Sequence, residues 1–130
     1  MPNWCENRVE IYAEPEHIKE FAETFMPKGY LDFEKIVPLG LGNNEDGSPV
    51  WDYDTAVKKW GTKWQLCKDD CDGHHVGEDC ISAYFSTAWA PPEGIYQAID
   101  SWFEEQEADY SISWFYDEPG MQFAGYLNNE

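Results

Sequence analysis

Residues 60 to 92 constrain the fold of this chain more than any other stretch. Trp60-Gly61-Thr62-Lys63-Trp64 opens one strand, and Phe85-Ser86-Thr87-Ala88-Trp89-Ala90-Pro91-Pro92 closes its partner and turns into a helix. The remainder has to pack on that aromatic hairpin, with strands expected near 63 to 68 and 79 to 87. Between them, residues 68 to 79 form an acidic segment bearing Cys71, His74 and His75, too rich in Asp and Gly to hold regular structure, and read as a loop.

The flanking segments switch between the two hydrophobic periods. Over residues 3 to 12, Cys5, Asn7, Val9 and Ile11 face one way while Trp4, Glu6, Arg8, Glu10 and Tyr12 face the other, as in a half-buried strand. Glu14-Pro15-Glu16 starts a helix whose Ile18, Phe21, Ala22 and Phe25 recur at helical spacing until Pro27 and Gly29 end it. Phe33 to Val37 reads as a short strand. Residues 38 to 60 read as an insertion covering one end of the sheet, with a short helix from Asp52 to Trp60 capped by Asp52 or Asp54.

Past the hairpin, Pro91-Pro92 starts a second main helix with Ile95, Ile99, Trp102 and Phe103 on one face. Two strands follow, Asp109 to Tyr116 and Met121 to Leu127, joined by Asp117-Glu118-Pro119-Gly120 with Pro and Gly placed for a type II turn. The order β-α-(insert)-β-β-α-β-β predicts one α+β domain over 1–130: a ferredoxin-like split β-α-β, with an antiparallel sheet, two helices on one face and an insertion after the first helix. At 130 residues such a domain buries about two thirds of its unfolded surface, so neither metal nor disulfide is required for stability.

Charge narrows the function classes. Twenty-six Asp and Glu against eight Lys and Arg give a formal charge of -18, and no Lys or Arg follows Lys68. Such a surface repels nucleic acid and anionic lipid and attracts basic partners over a Debye length of about 8 to 10 Å. Direct nucleic-acid binding is therefore not expected. The first residues lack the basic and apolar regions of a secretion signal, and no apolar run approaches the roughly 20 residues of a membrane span. A cytoplasmic protein is expected, in which four cysteines stay reduced.

Four segments carry a resemblance. Met1-Pro2-Asn3-Trp4-Cys5-Glu6-Asn7, Trp60-Gly61-Thr62-Lys63-Trp64, Phe85 to Pro92 as written above, and Glu118-Pro119-Gly120-Met121-Gln122-Phe123-Ala124-Gly125 together resemble the YubB/Api92-like ferredoxin-like domain family of phages, prophages and plasmids. The resemblance implies a ferredoxin-like fold and a mobile-element origin. It implies no activity and supports no role for the Cys/His loop.

Several residue groups are candidate sites. Cys67, Cys71, His74 and Cys80 offer soft ligands for a tetrahedral zinc, in a spacing that is not a recurrent one; Cys67 and Cys80 are more simply a reduced pair or a cross-strand disulfide. Hence no cofactor is expected. His74 and His75 beside Asp72 lack a placed nucleophile or oxyanion motif, so no enzyme is expected. Trp60, Trp64 and Trp89 fit the sealing of a core rim, with the stem of Lys63 folded along an indole. Tyr12, Tyr84 and Tyr126 give an open sheet face the look of a nucleobase-stacking platform, with no basic residue there to hold phosphates.

The acids of the C-terminal half are the strongest candidates. Asp100, Glu104, Glu105, Glu107 and Asp109, then Asp117 and Glu118, are expected to bind a partner. Carboxylates at alternate positions of an exposed strand lie about 6.6 Å apart, near the spacing of successive phosphates. The resulting expectation is an acidic, DNA-mimic-like phage or plasmid protein. It would inhibit a basic nucleic-acid-binding host defence protein, in the manner of an anti-CRISPR or anti-restriction factor, with its aromatic face supplying anchors. The alternatives are a small-ligand or zinc-binding module around residues 67 to 80, or a structural homodimer or larger oligomer built by pairing exposed sheet edges.

Overall fold

The computed structural model describes residues 4–63, 71–120 and 122–127, with the side chains of Cys71 and Asp72 not described. The element order is β1 (Trp4–Tyr12), α1 (Pro15–Phe25), α2 (Phe33–Ile36), α3 (Tyr53–Trp60), β2 (Cys71–Val76), β3 (Cys80–Ala88), α4 (Glu93–Glu105), β4 (Ser111–Glu118) and β5 (Phe123–Leu127). The five strands form one antiparallel sheet in the order β2-β3-β1-β4-β5. This mixed α+β architecture has one strand more than the four-strand ferredoxin-like order.

β1 lies at the centre, and its alternation decides the two faces. Cys5, Asn7, Val9 and Ile11 are buried, while Glu6, Arg8 and Tyr12 are exposed. The covered face joins Val9, Ile11, Ile81, Ala83, Phe85, Trp114 and Leu127 to buried residues from all four described helices in a single cluster, among them Phe21, Phe33, Trp60 and Phe103. Two main helices were expected on that face; α2 and α3 add two more.

Three expectations are corrected. Phe33–Ile36 is one helical turn, because the Asp32 side chain accepts the Lys35 N–H at 3.2 Å and caps it. The first hairpin strand is Cys71–Val76, inside the stretch read as a loop, while residues 64 to 70 lie outside the described residues. Its polar residues are held in the sheet by β3, Val76 opposite Ile81 and His74 opposite Ala83, with an irregularity between Cys71 and Gly73. Finally, β4 runs on to Glu118, and the left-handed position of its turn is Gln122, φ 59°. The α3 reading holds, with Asp52 as the cap.

The motif segments meet at one end of the core. Trp114 Nε1 donates to Asn7 Oδ1 at 3.0 Å, Asn7 Nδ2 donates to Thr87 Oγ1 at 3.0 Å, and Thr87 Oγ1 donates to the Ala90 carbonyl at 2.7 Å. Beside them, burial pushes the Cys5 thiol up to about 11, and the nearby Glu118 carboxylate adds to the rise. Asn7→Ala is expected to lower the unfolding free energy by about 3 kcal/mol, measured by denaturant titration, because the buried Trp114 N–H loses its acceptor, Thr87 loses the donor to its hydroxyl oxygen, and a cavity is left.

Candidate functional site

Because β1 is antiparallel to both neighbours, its C-terminal end meets the starts of β3 and β4, and the start of α1 and the end of α4 arrive at the same place. Each of these termini brings carboxylates. Glu14 and Glu16 come from the start of α1, Glu78 and Asp79 from the turn between β2 and β3, and Glu104, Glu105, Glu107 and Asp109 from the exit of α4; all are exposed. Tyr12, Glu14, Asp79, Asp109 and Tyr110 line one crevice here, and no Lys or Arg lines it. The backbone ties the end together through the Ala13 N–H, which donates to the Asp79 carbonyl at 3.1 Å.

Local physical chemistry favours Glu14 and Glu16 at the positive end of the α1 dipole but not the acids at the exit of α4. Glu104 and Glu105 occupy the last turn of α4, which has no basic residue, so they face the negative end of the helix dipole. The helix closes in a Schellman motif, in which the Glu107 N–H donates to the Glu104 carbonyl at 3.0 Å and the Ala108 N–H to the Phe103 carbonyl at 3.2 Å. Its left-handed residue, usually glycine, is Glu107 at φ 54°. Glu107→Gly is therefore expected to stabilise the fold by about 0.5–1 kcal/mol, measured by thermal and denaturant unfolding.

The structure divides the candidates expected from the C-terminal half. Glu104, Glu105, Glu107 and Asp109 share the acidic end, though on a helix terminus and the segment after it, so the alternate-strand spacing does not apply to them. Asp100 is half buried and accepts from the Tyr110 hydroxyl at 2.8 Å; burial and this carboxylate push Tyr110 up to about 12. Asp117 lies near the far end of β4, about 20 Å from the acidic end by strand rise. Glu118 is fully buried and cannot meet a partner. Glu14, Glu16, Glu78 and Asp79 were not anticipated, because only the topology unites them with residues 104 to 109.

Of the metal-ligand set, only His74 and Cys80 have side chains among the described residues, and these two are not brought together. Cys67 lies outside the described residues, as does the side chain of Cys71. Cys80 pairs with Tyr12 on the open face and is a free thiol, whereas His74 lies opposite Ala83 on the covered face. These two ligands therefore lie on opposite sides of the sheet. His74 stacks on Phe85 at 5.8 Å between ring centroids, neither ring nitrogen has a hydrogen-bond partner, and burial pushes its pKa down to about 4. Among the described residues, the group with three metal-ligand atoms mutually within 4.8 Å is Glu14, Glu16 and His17 at the start of α1.

A pH effect follows from His74. From about pH 6.5 down to about pH 4 the unfolded chain takes up a proton that the folded imidazole does not, so stability falls across that window. Allowing for partial solvent screening, the wild type is expected to lose about 1–2 kcal/mol more than His74→Phe over this range, read as the difference between their denaturant-unfolding curves.

The tryptophan cluster is structural at Trp60, which is buried and donates to the Val37 carbonyl at 2.8 Å. Trp64 lies outside the described residues. Trp89 is 45% exposed rather than sealing the rim, with the Lys63 ammonium 5.7 Å from its ring centroid. On the open sheet face the absence of a basic residue is corrected: Arg8 stands at its centre, 5.6 Å above the Tyr84 ring centroid. No described helix is long and apolar enough to cross a membrane. Comparisons with protein-family models, curated proteins and solved structures returned no match.

Proposed function

We infer that the protein is a non-catalytic, acidic accessory protein that occupies the basic nucleic-acid groove of a host defence protein with the end of its sheet. The observation that carries this reading is the gathering of eight exposed carboxylates from three separate segments at positions where several of them lower local stability. A surface serving solubility alone gives no reason for Glu107 at a glycine-favoured conformation or for Glu104 and Glu105 at a negative helix end. No Lys or Arg lines the crevice, and Lys19, in the adjoining hollow with Pro15 and Glu78, is far outnumbered by the acids, so the net field favours fast, salt-sensitive capture of a basic surface.

The motif resemblance supports a phage or plasmid origin, and hence an anti-CRISPR or anti-restriction type of target. The four adjacent strands β4-β1-β3-β2 support the ferredoxin-like, split β-α-β reading, with β5 as an addition at the edge of β4. Affinity capture from host lysate at low and high salt, followed by DNA-displacement assays on whatever is captured, tests the function. A basic nucleic-acid-binding protein eluted by salt and displaced from DNA is expected. Its absence from the low-salt eluate overturns the reading.

A further inference from the structure

On the open face one transverse row crosses four strands: Tyr84 on β3, Arg8 on β1, Phe115 on β4 and Tyr126 on β5 are successive cross-strand partners. Tyr84 is 41% and Tyr126 65% exposed, and Phe115 meets Tyr126 at 5.2 Å between centroids. Carboxylates flank this belt on both sides. Glu6 and Asp117 form a like-charged cross-strand pair on one side, an arrangement that lowers sheet stability, and Glu10 lies on the other. Arg8 and Phe115 line both of two shallow hollows, one with Glu6, Asp117 and Tyr84, the other with Glu10, Ser113 and Tyr126.

We propose that this face docks an extended segment of the partner carrying Arg or Lys at alternate positions, one cation in each hollow. The proposal rests on the basic-partner reading above and adds to it a second contact surface. The hollows step by two residues along β1, about 6.6 Å and near the distance between same-side residues of an extended chain, and they also shift sideways, since only one reaches Tyr84 on β3 and only the other reaches Tyr126 on β5. Each hollow is lined by aromatic side chains together with one or two carboxylates, although Arg8 already lies over one face of Tyr84. The three carboxylates outnumber Arg8, so the local charge favours a basic segment over a phosphate backbone. Arg8 then separates the two cation positions and lowers the repulsion between Glu6 and Glu10, its neighbours two residues away on the same face.

The test uses a capped Arg-Gly-Arg-Gly-Arg peptide, its contiguous-arginine isomer of equal charge, and a short oligothymidylate, each titrated into the isotopically labelled full chain. Amide signals of Arg8, Tyr84, Phe115 and Tyr126 are expected to move with the alternating peptide, which binds about threefold or more tighter than its isomer. Glu6→Gln with Asp117→Asn is expected to weaken it about fivefold, and Arg8→Gln to tighten it about twofold. Signals that move only at residues 104 to 109 overturn the proposal and leave the proposed function standing. Movement at neither surface removes both. Oligothymidylate binding that Arg8→Gln abolishes assigns the face to nucleic acid, and concentration-dependent shifts without any ligand assign it to a second copy; either result overturns the proposal.

Discussion

Gly94→Ala is expected to lower the unfolding free energy by about 3 kcal/mol or more and to disorder the junction between α3 and α4. Helix propensity alone argues the opposite, since Ala in a helix is favoured over Gly by about 1 kcal/mol. The packing decides the sign. A β-carbon at Gly94 would fall on the Lys59 carbonyl, and one at Gly61 would stand 2.7 Å from the Glu93 nitrogen, so backbone faces backbone across this contact with no flexible side chain to yield. Separating the helices would open the core at Trp60, which is 2% exposed. Gly73→Ala, whose added carbon meets nothing within 4 Å, serves as the control and should change stability little. Calorimetry or denaturant titration of both variants checks the prediction, and a stabilised Gly94→Ala would refute the close contact.

The second large effect concerns association. Replacing Glu104, Glu105 and Glu107 by Gln and Asp109 by Asn removes four of the exposed charges at the acidic end. It is expected to slow association with the captured basic partner by about 10- to 100-fold at low salt, with the difference shrinking as salt rises. Asp117→Asn alone leaves the acidic end intact and should slow association far less. Stopped-flow or surface-capture rates at several salt concentrations separate the two, and equal rates for the fourfold variant and the wild type would show that these carboxylates do not steer the encounter.

Much of this architecture was legible because hydrophobic period and end signals agreed. β1 alternates without a break, α1 begins at Pro15, and α3 has Asp52 as its cap, whereas Gly61, read as part of a strand opening, ends that helix. β2 was hidden because Cys71-Asp72-Gly73-His74-His75-Val76 reads as turn chemistry, and its strand conformation is imposed by β3. A helix of only four residues, α2, carries too little periodicity to distinguish it from a strand. Glu118 was misplaced for a different reason. Trp114, Tyr116 and Glu118 share one parity, and extending the β4 alternation by a single step points Glu118 into the core. The acidic end needed the topology, since residues 14 to 16, 78 to 79 and 104 to 109 become neighbours only when β1 pairs with β3 and β4.

The placement of β1 between β3 and β4 also governs when the chain can fold. Val9 pairs with Ala83 on one side and Trp114 on the other, so β1, the earliest of the five strands in sequence, finds its last partner more than a hundred residues later. Until then its apolar stripe is only partly covered, by the helices and strand that precede α4, and closing so long a loop comes before the rest of the gain from burial. Collapse of the nascent chain into the native sheet is therefore a late event, and the interval before it is when this molecule is most exposed to chaperones and to aggregation.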